Sequence, residues 1–178
     1  MNTKRPAPEL DPDANPASVA RAIILRQLTN SPKSRHQLAQ KLAERHVPDD
    51  VAEAVLDRFE EVKLIDDAEF ARLWVRSRAQ NRSLARGALK RELAEKGISA
   101  HLAEEALAQV SDDDEAASAE ALVRGKLRGS MNLADTAERD KYTRRWVAML
   151  ARKGFGPSNA FAVVDRLIDE QLDGESPE

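Results

Sequence analysis

The segment LAERHVPDDVAEAVL at residues 42–56 aligns without a gap on LAEKGISAHLAEEAL at 93–107, with Leu, Ala, Glu, Ala, Glu and Leu identical at six of fifteen positions. LARKGFGPSNAFAVV at 150–164 is a weaker third copy, so the offsets are 51 and then 57 residues. Self-similarity at such a period means that one small supersecondary unit recurs, and that units bury their apolar faces against one another. Each copy reads as a helix end, a tight turn and a new helix. An offset of this length leaves room for about three helices per unit. The pattern predicts an all-α chain of three tandem three-helix repeats stacked into an elongated, curved rod, since one such unit alone is marginal.

Boundary chemistry places the units. Gly97 and Gly154 follow Lys96 and Lys153, where a helix ends in a left-handed residue that glycine adopts without steric cost; the first copy has His46 there. Ser34 with Gln37, Asp66 with Glu69 and Asp112 with Glu115 have capping-box spacing. The expected layout is a disordered tail at 1–17, repeats at 18–65, 66–111 and 112–172, and a second tail at 173–178. The first tail carries four prolines and few large apolar side chains, too few to offset the entropy of ordering. Apolar periodicity puts Phe70, Leu73, Trp74 and Ser77 on one helix face and Val51, Val55, Leu56, Phe59 and Val62 on another, with Val75 off the first face as a contact between units. Trp74 and Trp146 both fall on apolar faces and are expected in the core rather than as stacking platforms.

The net charge of −3 conceals strong segregation. Residues 44–69 hold ten acids and three bases, 72–96 eight bases and two acids, 104–120 seven acids and no base, and 124–153 nine bases and three acids. In KYTRRWVAMLARK at 141–153, steps of 100° put Tyr142, Trp146, Met149 and Leu150 on one side and Lys141, Arg144, Arg145 and Arg152 on the other. In the central segment Arg72 and Arg76 flank one side of the apolar face and Arg78 and Arg82 the other, while Arg86 and Lys90 sit one turn apart in the next helix. With Arg91 and Lys153, these cations form the candidate binding surface.

Other function classes find no support. His36, His46 and His101 lie far apart and form no HxxxH pattern, which argues against a metal site. The Gly-Lys of ALVRGKLRGS has Glu120 and Leu127 where a phosphate-cradling loop needs glycine and a hydroxyl residue. SDDDEAASAE places acids at a helix start, where they complement the dipole. No nucleophile with a neighbouring base can be nominated, so neither enzyme activity nor a cofactor is expected. Absence of cysteine, of a secretory leader and of a long apolar run points to a soluble cytoplasmic protein with no membrane contact. No long apolar stripe is left over, which suggests a monomer.

DDAEFARLWVRSRAQNRSLARGALKRELAEKGI, at 66–98, resembles the most characteristic segment of the RecX family, regulators of the bacterial RecA recombinase. The shared features are an acidic start, Phe-Ala, an aromatic, arginine-rich positions and an L…EL…KGI ending. RRWVAMLARKGF, at 144–155, is similar to that family's C-terminal LxRRGF segment. The family's usual glycine near the start of the central unit's second helix is replaced here by Arg82-Ser83, with Gly87 further on. The resemblance implies a protein that lies along the groove of RecA filaments on single-stranded DNA and depresses strand exchange, ATP hydrolysis and coprotease activity. Whether the arginines meet acidic RecA surface or DNA phosphate stays open. The competing reading is a sequence-independent DNA-binding helical repeat protein.

Overall fold

A computed structural model describes residues 15–174, and within them the chain is helical with no strand. The helices are α1 (Pro16–Asn30), α2 (Arg35–Ala43), α3 (Asp49–Glu61), α4 (Asp67–Arg82), α5 (Arg86–Glu95), α6 (Ala100–Leu107), α7 (Asp112–Arg124), α8 (Thr136–Arg152) and α9 (Pro157–Gly174). They follow the triplet pattern of the sequence. The expected tails lie largely outside the described residues, although α1 and α9 each reach two residues past the expected edge of their repeat. The chain divides into two compact units at residues 70 and 71.

In the first unit, Asn15 accepts from the Ala17 amide at 2.9 Å and Pro16 occupies the first turn of α1, where a missing N–H costs nothing. Ser34 and Gln37 form the expected capping box on α2. Three helices then enclose one core: Ala20, Ile23 and Ile24 of α1, Leu38 and Leu42 of α2, and Ala52, Val55, Leu56 and Phe59 of α3, closed by Val47 and Ile65. Val62 was expected on this face. It is the C-terminal cap of α3 and is exposed, because the helix ends before the periodicity does.

Arg35, the first residue of α2, faces an acidic stripe on α3. Its guanidinium pairs with Glu53, with Asp57 at 2.8 Å and with Glu60 at 2.6 Å, three acids spaced i, i+4, i+7. The Arg35 amide donates to Asp67 at the start of α4 at 2.8 Å. Burial, the largest influence, pushes the Asp67 carboxyl above the usual range, and the Arg35 amide offsets part of this.

The second unit repeats these devices. α5 and α6 bury Ala88, Leu89, Leu93, Ala103, Ala106 and Leu107, and α7, α8 and α9 share a larger core around Val123, Trp146, Leu150, Val164 and Leu167. The cap of α7 is displaced by one residue from expectation: Ser111 and Asp114 form the capping box. Glu115 is thereby released and accepts from the Arg86 amide, while the Arg86 guanidinium pairs with Asp112. Arg86 stands 51 residues after Arg35. Both are first residues of a repeat's second helix, and both bind the opening turn of the next repeat's first helix.

The face expected on α4 also shifts. Ala71 and Val75 are fully buried, whereas Leu73 is 40% exposed. Ser83, after α4, takes a left-handed φ of 50°, the conformation for which a glycine would ordinarily be chosen. From there α5 docks on the α8–α9 turn: the Ala85 amide donates to the Lys153 carbonyl at 2.9 Å, and Lys153 Nζ donates to the Arg82 carbonyl at 2.6 Å. Gly87 and Gly154 make this approach possible, since a Cβ on Gly87 would lie 2.6 Å from the Gly154 carbonyl oxygen.

The aligned turns are left-handed at φ 57° for His46, 74° for Gly97 and 90° for Gly154. In each, the following amide reaches back to a leucine carbonyl: Val47 to Leu42 at 3.2 Å, Ile98 to Leu93 at 3.0 Å, Phe155 to Leu150 at 3.2 Å. This is the Schellman arrangement with its hydrophobic clasp. Lys63 at φ 59° makes a fourth, with the Leu64 amide on the Phe59 carbonyl at 2.9 Å.

Two outcomes follow. His46→Gly should stabilise the protein by about 0.5–1 kcal/mol by removing left-handed strain, while Gly154→Ala should cost about 2 kcal/mol or more through strain and the clash with Ala88; urea unfolding measures both. Asp67→Asn isolates a pH effect. Because the folded-state pKa of Asp67 is raised, its favourable contribution is present below its unfolded pKa and lost as pH rises through the folded value. The stability of wild type relative to the variant should therefore increase as pH falls from neutrality into the carboxylate range, read from unfolding midpoints.

Candidate functional site

The twelve basic residues nominated from sequence separate into two groups. Some are committed to the fold. Arg86 binds Asp112 and Glu115, Lys90 pairs with Glu104, Lys141 bonds Glu138 at 3.0 Å, and Lys153 holds the Arg82 carbonyl. Arg78 lies 4.2 Å from the Trp74 ring centroid and 3.7 Å from Glu92. These cations already have protein partners, though the exposed pairs of Lys90 and Lys141 are screened by solvent and yield readily to a ligand.

The others keep their charge available. Arg76, Arg82, Arg91, Arg144, Arg145 and Arg152 are exposed, and their side chains make no hydrogen bond or ion pair with any described residue. Arg72 is exposed but engaged. Three of the available group lie on α8. Arg145 and Arg152 border a groove with Met149 between them in sequence. The edge of this basic side at Arg145 and Arg152 thus meets an apolar floor at Met149.

Sequence reasoning missed part of this groove. Lys126 and Met131 line it from the segment between α7 and α8, a loop without helical periodicity, so nothing in the spacing assigned them to the same place as Arg145. Leu133 anchors that loop by full burial and Asp135 caps α8 through the Glu138 amide at 2.9 Å.

The tryptophans differ in role. Trp146 is 3% exposed and stacks on Tyr142 with centroids 5.4 Å apart. Trp74 is only half-buried: its indole N–H donates to Glu92 at 2.8 Å and its ring carries Arg78 and Lys96, the latter 4.5 Å from the centroid. The core expectation thus holds for Trp146, while Trp74 is a surface plate under two cations. Among the described residues, no cluster of His, Asp and Glu could hold a metal ion, and no helix is long and apolar enough to cross a membrane.

The described residues form an all-helical repeat protein bearing exposed arginines that no carboxylate neutralises, a surface suited to an anionic partner. Comparison with known proteins is more specific. Residues 20–59 match the family model of the first three-helix domain of RecX, and 66–107 that of the second. The chain is 46% identical over 168 residues to the regulatory protein RecX of Streptomyces coelicolor, covering 94% of this chain and 86% of that one. It is 44% identical over 166 residues to the regulatory protein RecX of Mycolicibacterium vanbaalenii, covering 92% and 89%. The crystal structure of RecX from Lactobacillus salivarius superposes with a TM-score of 0.70 at 21% identity over 89% of this chain and 97% of that one, which shows the shared fold. The chain belongs to the RecX family. That is a family of regulatory proteins, not of enzymes.

The contrast between the tryptophans is measurable. Trp146→Ala should cost about 3–5 kcal/mol, as for a core aromatic, and Trp74→Ala about 1–2 kcal/mol, the scale of partly exposed cation–π contacts and one charge-assisted hydrogen bond. Chemical unfolding of the two variants checks the ranking.

Proposed function

We propose that this protein regulates the RecA recombinase by binding RecA filaments on single-stranded DNA, lying along the filament groove and depressing strand exchange, ATP hydrolysis and coprotease activity. Family membership supports the reading, and the unneutralised arginines of α8 supply its physical basis. A filament presents the same surface many times over. Tandem repeats can engage several protomers at once, and linked contacts raise affinity without any single strong one. Charge segregated into acidic and basic segments suits a partner whose own surface alternates in sign. Inhibition then needs no chemistry: a ligand that binds one filament state better than another shifts the population toward it.

The test is RecA's DNA-dependent ATP hydrolysis and strand exchange, titrated with this protein. Strong inhibition when the protein is far scarcer than DNA sites is the expected outcome. Inhibition confined to DNA-saturating amounts would mean simple competition for the strand. Replacing Lys141, Arg144, Arg145 and Arg152 together by Glu should preserve helicity by circular dichroism and weaken inhibition by at least about tenfold; wild-type inhibition by that variant would remove this face from the site.

A further inference from the structure

Sulfur is scarce in this chain and is gathered in one place. The sequence holds no cysteine and three methionines. Met1 lies outside the described residues, and the other two, Met131 and Met149, line the same groove of about 250 Å³, one from the loop before α8 and one from the helix itself. Both are half-buried, resting on the edge of the core around Trp146 and Leu150 with one side left open. Lys126, Arg145 and Arg152 line the groove with them, no carboxylate does, and none of these three cations has a partner among the described residues. Methionine used only to fill an irregular gap needs apolar neighbours. Here two thioethers instead border unspent hydrogen-bond donors.

We propose that Met131 and Met149 are a paired oxidation site for hydrogen peroxide, and that their sulfoxides, held by Arg145, Arg152 and Lys126, withdraw this groove from a partner. The step balances without any further reagent. A sulfur lone pair attacks one peroxide oxygen, the S–O bond forms as the O–O bond breaks, and the departing oxygen takes a proton from solvent and leaves as water; sulfur is oxidised by two electrons and the peroxide reduced. Negative charge gathers on the departing oxygen, and cations with donors to spare favour it. The product suits the groove better than the reactant does. A thioether is a weak acceptor, whereas a sulfoxide oxygen accepts strongly and gives the unpartnered guanidinium and ammonium groups something to hold. Oxidation thus occupies the cations and turns the apolar floor polar, and sulfoxide reductases reverse it. The site stands on its own chemistry; only its effect on RecA rests on the regulatory reading.

The experiment treats the full chain with hydrogen peroxide and follows it by peptide mass mapping. Met131 and Met149 should each gain one oxygen atom and lose it again to methionine sulfoxide reductases. Arg145→Gln combined with Arg152→Gln should slow oxidation of Met149 by about threefold or more, through loss of donors to the departing oxygen. Lys126→Gln lies outside any helix and gives the same test at Met131 should the helix variant lose structure. The consequence is read first without RecA, so that failure of the site is separable from failure of the regulatory reading. Anilinonaphthalene sulfonate, an aromatic anion that matches both the cations and the floor, should bind the oxidised protein about threefold or more weakly and recover its affinity on reduction. Inhibition of RecA's ATP hydrolysis should fall by a similar factor on oxidation, whereas a variant carrying Met131→Leu and Met149→Leu should inhibit equally before and after peroxide. Unchanged oxidation rates in the folded cation variants would overturn the proposal, as would fluorophore affinity that oxidation leaves unchanged or an equal loss of inhibition in the leucine variant.

Discussion

The left-handed turn after the second helix of each repeat is the constraint on which the architecture hangs. It satisfies carbonyls that would otherwise be orphaned at a helix end, and it swings the next residue inward. Val47, Ile98 and Phe155 are all buried by that swing, each beneath a leucine whose carbonyl its own amide has bonded. One backbone conformation thus fixes both the angle between two helices and one side chain of the core. The first copy achieves it with His46 despite the steric cost of a Cβ at positive φ, because the clasp between Leu42 and Val47 outweighs the strain.

Arginine has two distinct uses in this protein, and composition alone does not separate them. Arg35 and Arg86 are joints. Each sits at the start of a second helix and ties its amide and guanidinium to carboxylates, including one in the opening turn of the next repeat's first helix. The acidic segments that look like solvated runs in the sequence are therefore, in part, the counter-surface of these joints. What remains for a partner is the set of cations that no carboxylate reaches, and half of the nominated ones, Arg144, Arg145 and Arg152, lie on α8.

Much of the fold was legible because periodicity and cap chemistry report local physics. The repeat, the three turns, the Ser34 box and the buried Trp146 all follow from residues within a few positions of one another. Expectation failed where a tertiary contact decided between neighbours. Ser111 and Asp112 are equally good caps in isolation, and Arg86 settles the matter by engaging Asp112 and drawing Glu115 to its own amide. Leu73 and Val75 are equally apolar, yet only Val75 is enclosed. The groove was half legible: helical spacing gave Tyr142, Trp146 and Met149, and placed Arg145 and Arg152 on the opposite side, whereas Lys126 and Met131 come from a loop whose path no pattern in the sequence encodes.

The meeting of Gly87 with Gly154 makes the central and C-terminal repeats less modular than their sequences suggest. Main chain touches main chain there, with Ala85 donating to Lys153 and Lys153 in turn closing on Arg82. A fragment ending at the sequence boundary near residue 111 would leave the Ala85 amide and the Arg82 carbonyl without these partners, at the very start of its own second helix. A side chain added at either glycine would therefore be felt in both repeats at once.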